Sequence, residues 1–126
     1  MEYVPISKTE DQELPVSSAW RLALKEIADA LVLRTPIPDI DGVLISPIDD
    51  DQLGICRENI MDYPDPLGPL TAESWKTSVS VWSVGYWAVL VDLITSSGEV
   101  SDLVFHAKVM EHEGQYLIEP GLIYVP

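Results

Sequence analysis

The alternation of apolar and polar residues between positions 86 and 110 predicts a β-hairpin. Residues 86–95 are rich in β-branched and aromatic side chains and contain neither proline nor glycine, as is typical of a strand. The next four residues, Ser-Ser-Gly-Glu, favour a turn because Gly98 can adopt a positive φ angle. A second strand is therefore predicted at 100–110.

One register of this hairpin places only apolar residues on one face. A slip of one residue would move aspartate or histidine onto that face, so the register is strongly specified. The apolar face is predicted to pack in the core, and its pairs are Leu93–Leu103, Val91–Phe105, Val89–Ala107 and Trp87–Val109. The other face is half polar and either faces solvent or forms a shallow pocket built from Tyr86, Asp92, His106, Lys108 and Met110.

Apolar residues recur at helical spacing between Ser17 and Arg34, which predicts an amphipathic helix over that range. Ser17 or Ser18 can cap its start. We expect the apolar stripe of this helix to pack on the sheet rather than to form a groove for a partner. Residues 1–15, which precede it, are predicted to form a loose acidic leader. The stripe consists of Trp20, Leu24, Ile27 and Leu31.

The remaining pattern predicts short elements: a strand at 43–45, a helix at about 52–61 capped by Asp49 or Asp50, a helical turn at 71–75, and strands starting at 79, 116 and 122. Between the last two strands, Pro120-Gly121 is either a break or a bulge. The elements together predict a single α+β domain over residues 1–126. Its N-terminal helix is expected to pack on a curved, mainly antiparallel sheet of four to five strands.

The chain carries 21 acidic and 7 basic residues, a net charge of −14. Such a charge opposes binding to nucleic acid or to an anionic membrane, and it attracts a basic protein. Solubility alone is the competing explanation. The sequence has a single cysteine, lacks the features of a signal peptide and has no apolar run long enough to span a membrane. We therefore expect a cytoplasmic protein.

Half of the net charge falls in one segment, residues 39–65, which contains eight acidic residues and one arginine. Aspartates at the start of the predicted helix are favoured by its dipole, but the segment contains more carboxylates than one helix start requires. The segment is therefore predicted to bind a basic protein partner. The residues expected to do so are Asp39, Asp41, Asp49, Asp50, Asp51, Glu58 and Asp62.

The sequence offers little catalytic chemistry. The spacing of an EF-hand is absent from the aspartates, and consecutive aspartates cannot all point at one ion, so no metal site is predicted. His106 with Asp92 would form a general base and its orienting partner, but no motif places a nucleophile beside them. Phosphate-binding loops and hydrolase motifs do not occur. We predict no catalytic residues and no cofactor.

Residues 87–93 read W-x-V-x-V-D-L, and residues 98–103 read G-x-x-S-D-L. With the N-terminal helix, this pattern resembles a small uncharacterised bacterial family, known only as a domain of unknown function. The resemblance implies a bacterial source and an α+β fold, and it brings no catalytic residues. In size, acidity and lack of motifs the chain is also similar to the immunity proteins of bacterial toxin systems, each of which binds and blocks one toxin.

These observations favour a non-enzymatic, acidic protein-binding domain, in particular an immunity-type inhibitor that occludes a basic toxin face such as the substrate-binding side of a nuclease. The alternative is a domain that binds a small molecule, or is weakly catalytic, with its pocket on the curved sheet. A third class is an accessory subunit of a housekeeping complex.

Overall fold

The computed structural model of the protein describes residues 3–126, which form three helices and a six-stranded sheet. The helices are α1 (Ser18–Leu33), α2 (Asp50–Asp62) and α3 (Ala72–Trp75). The strands are β1 (Leu14–Pro15), β2 (Val43–Ile45), β3 (Val79–Ser83), β4 (Tyr86–Ile94), β5 (Val100–His112) and β6 (Gln115–Tyr124). The α+β class is confirmed. The predicted number of four to five strands is wrong, because the two-residue strand β1 is too short to give a periodic pattern.

The sheet is open and mixed, with strand order β1-β3-β4-β5-β6-β2. Strands β3 to β6 follow one another as an antiparallel meander, and β1 pairs antiparallel with β3. Of the six strands within residues 3–126, only β2 runs parallel to its neighbour, β6. The turns β3–β4 and β4–β5 contain Gly85 and Gly98 with positive φ angles, which glycine adopts without strain, whereas the turn β5–β6 places both Glu113 and Gly114 at positive φ.

The predicted hairpin register is confirmed over most of its length. Trp87 pairs with Val109, Val89 with Ala107 and Val91 with Phe105, and all six side chains are buried. Beyond Asp92 the register shifts, so the predicted pair of Leu93 with Leu103 is replaced by a bulge, although both residues remain buried.

Strand β6 unites the two strands that were predicted at 116–118 and 122–125. Phe105 pairs with Ile123 and Ala107 with Pro120, so two residues of β6 face His106 alone, and Pro120-Gly121 marks a bulge rather than a break. A Cβ atom on Gly121 would lie 2.5 Å from the carbonyl oxygen of His106. The bulge therefore requires glycine at this position.

The core lies between α1 and the apolar face of the meander. All four residues of the predicted stripe are buried, and the Trp20 ring lies 4.8 Å from the ring of Trp87 and 5.6 Å from that of Tyr116. Ser17 caps α1 by accepting a hydrogen bond from the backbone of Ala19 at 3.2 Å. Within residues 3–126, none of the helices has both the length and the apolar content needed to cross a membrane.

The predicted loose leader includes residues 1 and 2, which lie outside the described residues. The rest of the leader is hydrogen-bonded to the domain. Val4 donates to the Ser18 hydroxyl at 2.8 Å, and the Trp87 indole donates to the Ser7 carbonyl at 2.7 Å. Strand β1 then joins the edge of the sheet. These contacts hold residues 4–15 against the start of α1 and the edge of the sheet.

Replacing Leu24 with aspartate should destabilise the fold by roughly 3 kcal/mol or more, because a charge would be buried without a partner. Leu24 is 0% exposed and lies at the centre of the α1 stripe. The matched control is Leu22→Asp on the same helix, where the side chain is 63% exposed. Urea denaturation of both variants measures the difference, and equal losses would contradict the placement of the core.

Candidate functional site

All seven carboxylates predicted to bind a partner are exposed, and within residues 3–126 none of them takes part in an ion pair. They lie on α2 and on the chain that leads to it: Asp39, Asp41, Asp49, Asp50, Asp51, Glu58 and Asp62. Among the described residues, no three His, Cys, Asp or Glu side chains are grouped as ligands for one metal ion. Their charge is therefore displayed to solvent. Partner binding by these residues stays a prediction.

The start of α2 accounts for three of these carboxylates. Asp49 is the N-cap, and its Oδ1 accepts a hydrogen bond from the backbone of Gln52 at 2.7 Å. Asp50 and Asp51 occupy the first turn, where the positive end of the helix dipole stabilises negative charge. The other four carboxylates have no such local role in starting the helix.

A polar stripe on the inner side of α2 fixes the helix to the sheet. Gln52 Nε2 donates to the carbonyl of Pro120 at 2.7 Å, and Asn59 Nδ2 donates to that of Ile123 at 2.8 Å. Between them, Cys56 Sγ lies 3.8 Å from the carbonyl of Gly121. Because β2 pairs with β6 only at 116–118, the helix side chains bond the edge of β6 beyond that point.

Sequence reasoning placed Cys56 on the inner side of this helix but missed the roles of Gln52 and Asn59. The three residues are spaced i, i+4 and i+7, which places them on one helix face, and this spacing was the sequence signal that Gln52 and Asn59 lie on the same side as Cys56. A polar stripe gives no hydrophobic pattern, so it is read as solvent-facing unless a free strand edge is known to lie opposite.

The outer side of α2 combines acidic and apolar residues. Ile55 is 44% exposed and Met61 is 70% exposed. Glu58 lies three residues from each of them, and Asp62 follows Met61 directly, so the four side chains share one region of the helix surface. A surface of this composition offers apolar contact area together with charge.

His106 and Lys108, two of the predicted pocket residues, line a groove of about 430 Å³. The groove runs between the first turns of α2 and the second face of β5 and β6, next to the Gly121 bulge. It shares Asp49 and Ile55 with the acidic segment. One side of the groove is thus a wall of the surface proposed to bind a partner.

The other predicted pocket residues lie elsewhere on the same sheet face. The Asp92 carboxylate accepts a hydrogen bond from Thr77, on the β3 side of β4, whereas His106 lies on β5 across from Leu90. The Tyr86 ring lies 5.0 Å from Lys108 Nζ, and Met110 follows two positions later on β5. The hydrogen bonds of residues 3–126 include none between Asp92 and His106, so these two groups do not form a dyad in this structure.

Two titratable groups near the bulge are held in their neutral forms. Burial lowers the pKa of His106, and the positive charge of Lys108 lowers it further. Burial raises the pKa of the Cys56 thiol. At neutral pH, His106 is an uncharged imidazole, and Cys56 is a thiol rather than the thiolate that a nucleophile requires.

Residues 37–126, which contain β2, α2, α3 and the whole meander, match the family described as Domain of unknown function (DUF7668). The chain belongs to this family. The resemblance to an uncharacterised domain family, expected from the W-x-V-x-V-D-L pattern, is confirmed. The match begins after α1 and covers strands β2 to β6 and the acidic segment. No curated protein and no solved structure gives a significant match to the chain.

Removing the Asn59 amide should destabilise the protein through the edge of β6. Asn59→Ala leaves the Ile123 carbonyl without its donor, at an expected loss of about 1 kcal/mol. Asn59→Asp should cost more, because a carboxylate then faces a carbonyl oxygen. Arg57→Ala, an exposed position on the same helix, is the control. Equal midpoints of urea denaturation for Asn59→Ala and Arg57→Ala would show that α2 does not secure this edge.

His106 should make stability fall on mild acidification. Its pKa in the folded chain lies below the unfolded value of about 6.5, so the unfolded chain binds more protons in the window just below that value. The stability that the lowered pKa of His106 contributes to the folded chain is present above pH 6.5 and is lost as the pH falls towards the pKa of the folded chain. His106→Gln should therefore lose less stability than the wild type between about pH 7.5 and pH 5.5. Parallel stability curves for the two proteins would contradict the direction of the shift.

Proposed function

We propose that this chain is a non-enzymatic protein-binding domain whose acidic segment, residues 39–65, covers a basic face of another protein. The observation that carries the proposal is the exposure of all seven carboxylates without an ion pair among residues 3–126. Their charges are free to meet cations from outside the molecule, as a partner surface of complementary sign requires.

The concentration of charge supports binding over solubility. A soluble surface is best served by charges that are spread and mixed in sign, whereas this segment holds half of the net charge with a single arginine. Crowded carboxylates repel one another, which destabilises the folded chain until a cationic partner relieves the repulsion. The start of α2 explains Asp49, Asp50 and Asp51 only.

Exposed apolar side chains beside the carboxylates support a lasting contact. Charge complementarity mainly accelerates the encounter, while slow dissociation comes from well-packed, desolvated contacts near the centre of an interface. Ile55 and Met61 on α2 can supply such contacts, with Glu58 and Asp62 as the charged surroundings. The rigid attachment of α2 to β6 presents these groups in one fixed arrangement, which reduces the entropy lost on binding.

The partner class that fits best is a toxin domain with a basic substrate-binding face, such as that of a nuclease. A surface built to hold phosphates is rich in lysine and arginine, and a dense acidic helix face can occupy it in place of the substrate. The domain would then act as an immunity-type inhibitor by occlusion, in the cytoplasm of a bacterial cell that makes the toxin. This assignment of partner class extends the resemblance to immunity proteins.

A second candidate function is the binding of a small molecule in the groove that His106 and Lys108 line. The favouring observation is the volume of about 430 Å³ with a neutral imidazole and an ammonium group on one wall. Weak catalysis there would need a group other than Asp92 to orient His106, because the Asp92 carboxylate is engaged by Thr77.

Charge reversal within the segment should slow association with the partner. In the Glu58→Lys/Asp62→Lys variant, Asp49 is kept because it caps α2, and a lysine near the end of the helix is favoured by the dipole, so the fold should persist. Immobilised wild-type chain would capture basic proteins from the source organism. For a captured partner, surface plasmon resonance should then give an on-rate about tenfold lower for the variant, with a weaker dependence on salt.

The matched control is Glu13→Lys/Glu99→Lys, which changes the net charge equally at two exposed positions outside the segment. It should retain most of the on-rate. If both double variants behave alike, or neither differs from the wild type, the acidic segment serves solubility and the proposed function fails.

A further inference from the structure

A second surface has the opposite character to the acidic segment. A groove of about 1130 Å³ lies between the outer side of α1 and the chain around α3, on the side of the domain that carries Trp75. Arg21 and Lys25 of α1 line one wall, and Lys76 at the end of α3 lines the other. The chain has seven lysines and arginines in all, so three of its seven cations meet in this groove.

Two of these cations, Arg21 and Lys76, are available to an incoming carboxylate. Lys76 pairs with Glu73 at the surface, where such pairs contribute about 0–1 kcal/mol and exchange readily. Lys25 pairs with Asp29, whose side chain is only 16% exposed and also accepts a hydrogen bond from the Leu70 backbone. The Arg21 guanidinium lies 5.5 Å from the centre of the Trp75 ring, and its Nε donates to the Val16 carbonyl at 3.0 Å. Within residues 3–126, Arg21 forms no ion pair with a carboxylate. Its remaining donors suit bidentate binding of one.

The groove is also apolar between its cations. Leu70 is buried, Trp75 is half-buried, and Leu22 is 63% exposed on the side of α1 away from the core stripe. The exposure of Leu22 has no role in packing the domain. A large exposed leucine next to an aromatic ring in a concave surface is typical of a site for apolar side chains.

We infer that this groove binds a segment of another protein in which acidic residues alternate with large apolar ones. Cations on both walls match the carboxylates of such a segment, and the apolar floor matches its leucine or phenylalanine side chains. This surface and this partner are separate from the acidic segment and its basic partner.

The net negative charge of the chain disfavours binding of large acidic bodies in this groove. A second copy carries −14 and an anionic membrane carries a dense negative charge, so both are repelled by the whole domain. A short segment senses mainly the charges within about one Debye length, roughly 8 Å at physiological salt, where the two lysines are paired with carboxylates and Arg21 adds a positive charge without a carboxylate partner among residues 3–126. The favoured occupant is therefore a short acidic and apolar segment.

The test uses the full chain and a short fluorescent peptide in which glutamate alternates with leucine and phenylalanine. Fluorescence anisotropy should show saturable binding that weakens with salt. The Lys76→Glu/Leu22→Ser variant should bind about tenfold more weakly, since it loses one cation and one exposed apolar contact. The matched control, Lys8→Glu/Leu33→Ser, makes the same two replacements at exposed positions outside the groove and should bind like the wild type.

A peptide with glutamine in place of glutamate should bind much more weakly. Equal binding of the two peptides, or equal weakening by the two double variants, would overturn the inference. Sedimentation would detect self-association of the wild type. If the Lys76→Glu/Leu22→Ser variant abolished such self-association, the inference would be overturned and the groove would be assigned to a second copy. Groove-dependent binding to phosphatidylglycerol vesicles without peptide binding would assign it to a membrane. Glu58→Lys/Asp62→Lys should leave peptide binding intact, which separates this result from the test of the acidic segment.

Discussion

The arrangement of this domain depends on how the outer edge of β6 is satisfied. Strand β2 covers that edge only at 116–118, and beyond it the carbonyls of Pro120 and Ile123 face α2. Gln52 and Asn59 of α2 donate to these carbonyls, so the helix takes the place of a further strand. A helix bound through one polar side must direct its other side outward, and the acidic and apolar residues of α2 are displayed as a result.

The two faces of the sheet differ in burial. One face packs against α1 and holds the large buried side chains, among them Trp87 and Phe105. Residues of the other face, such as Leu90 and Met110, lie outside this core cluster and are half-exposed. The groove next to α2 shares Asp49 and Ile55 with the acidic segment, while the groove around Arg21 is lined by α1 and by the chain around α3.

The sequence predicted those parts of the structure that repeat with a regular period. The α1 stripe and the register of Val91 with Phe105 follow from apolar spacing, and the Asp49 cap follows from side-chain chemistry. Contacts that depend on distant backbone could not be predicted, because no local pattern encodes them. To predict the hydrogen bond from Asn59 to Ile123, one would have to know where β6 runs relative to α2. To predict that Asp92 is not paired with His106, one would have to know that Thr77 lies beside the Asp92 carboxylate. The same holds for the groove around Arg21, which joins residues of α1 to one that follows α3.

The net charge of the domain and the local charges of its two surface regions act over different distances. A total of −14 describes how the domain behaves at distances well beyond a Debye length, where it repels other acidic bodies and favours solubility. At shorter range, the segment 39–65 is almost purely anionic, whereas the groove around Arg21 holds three cations, two of them paired with carboxylates. A folded core holds the two regions at fixed positions, so the proposed partner of each region would be selected by its charge and by the apolar residues beside it. A surface charge that served solubility alone would not need either form of segregation.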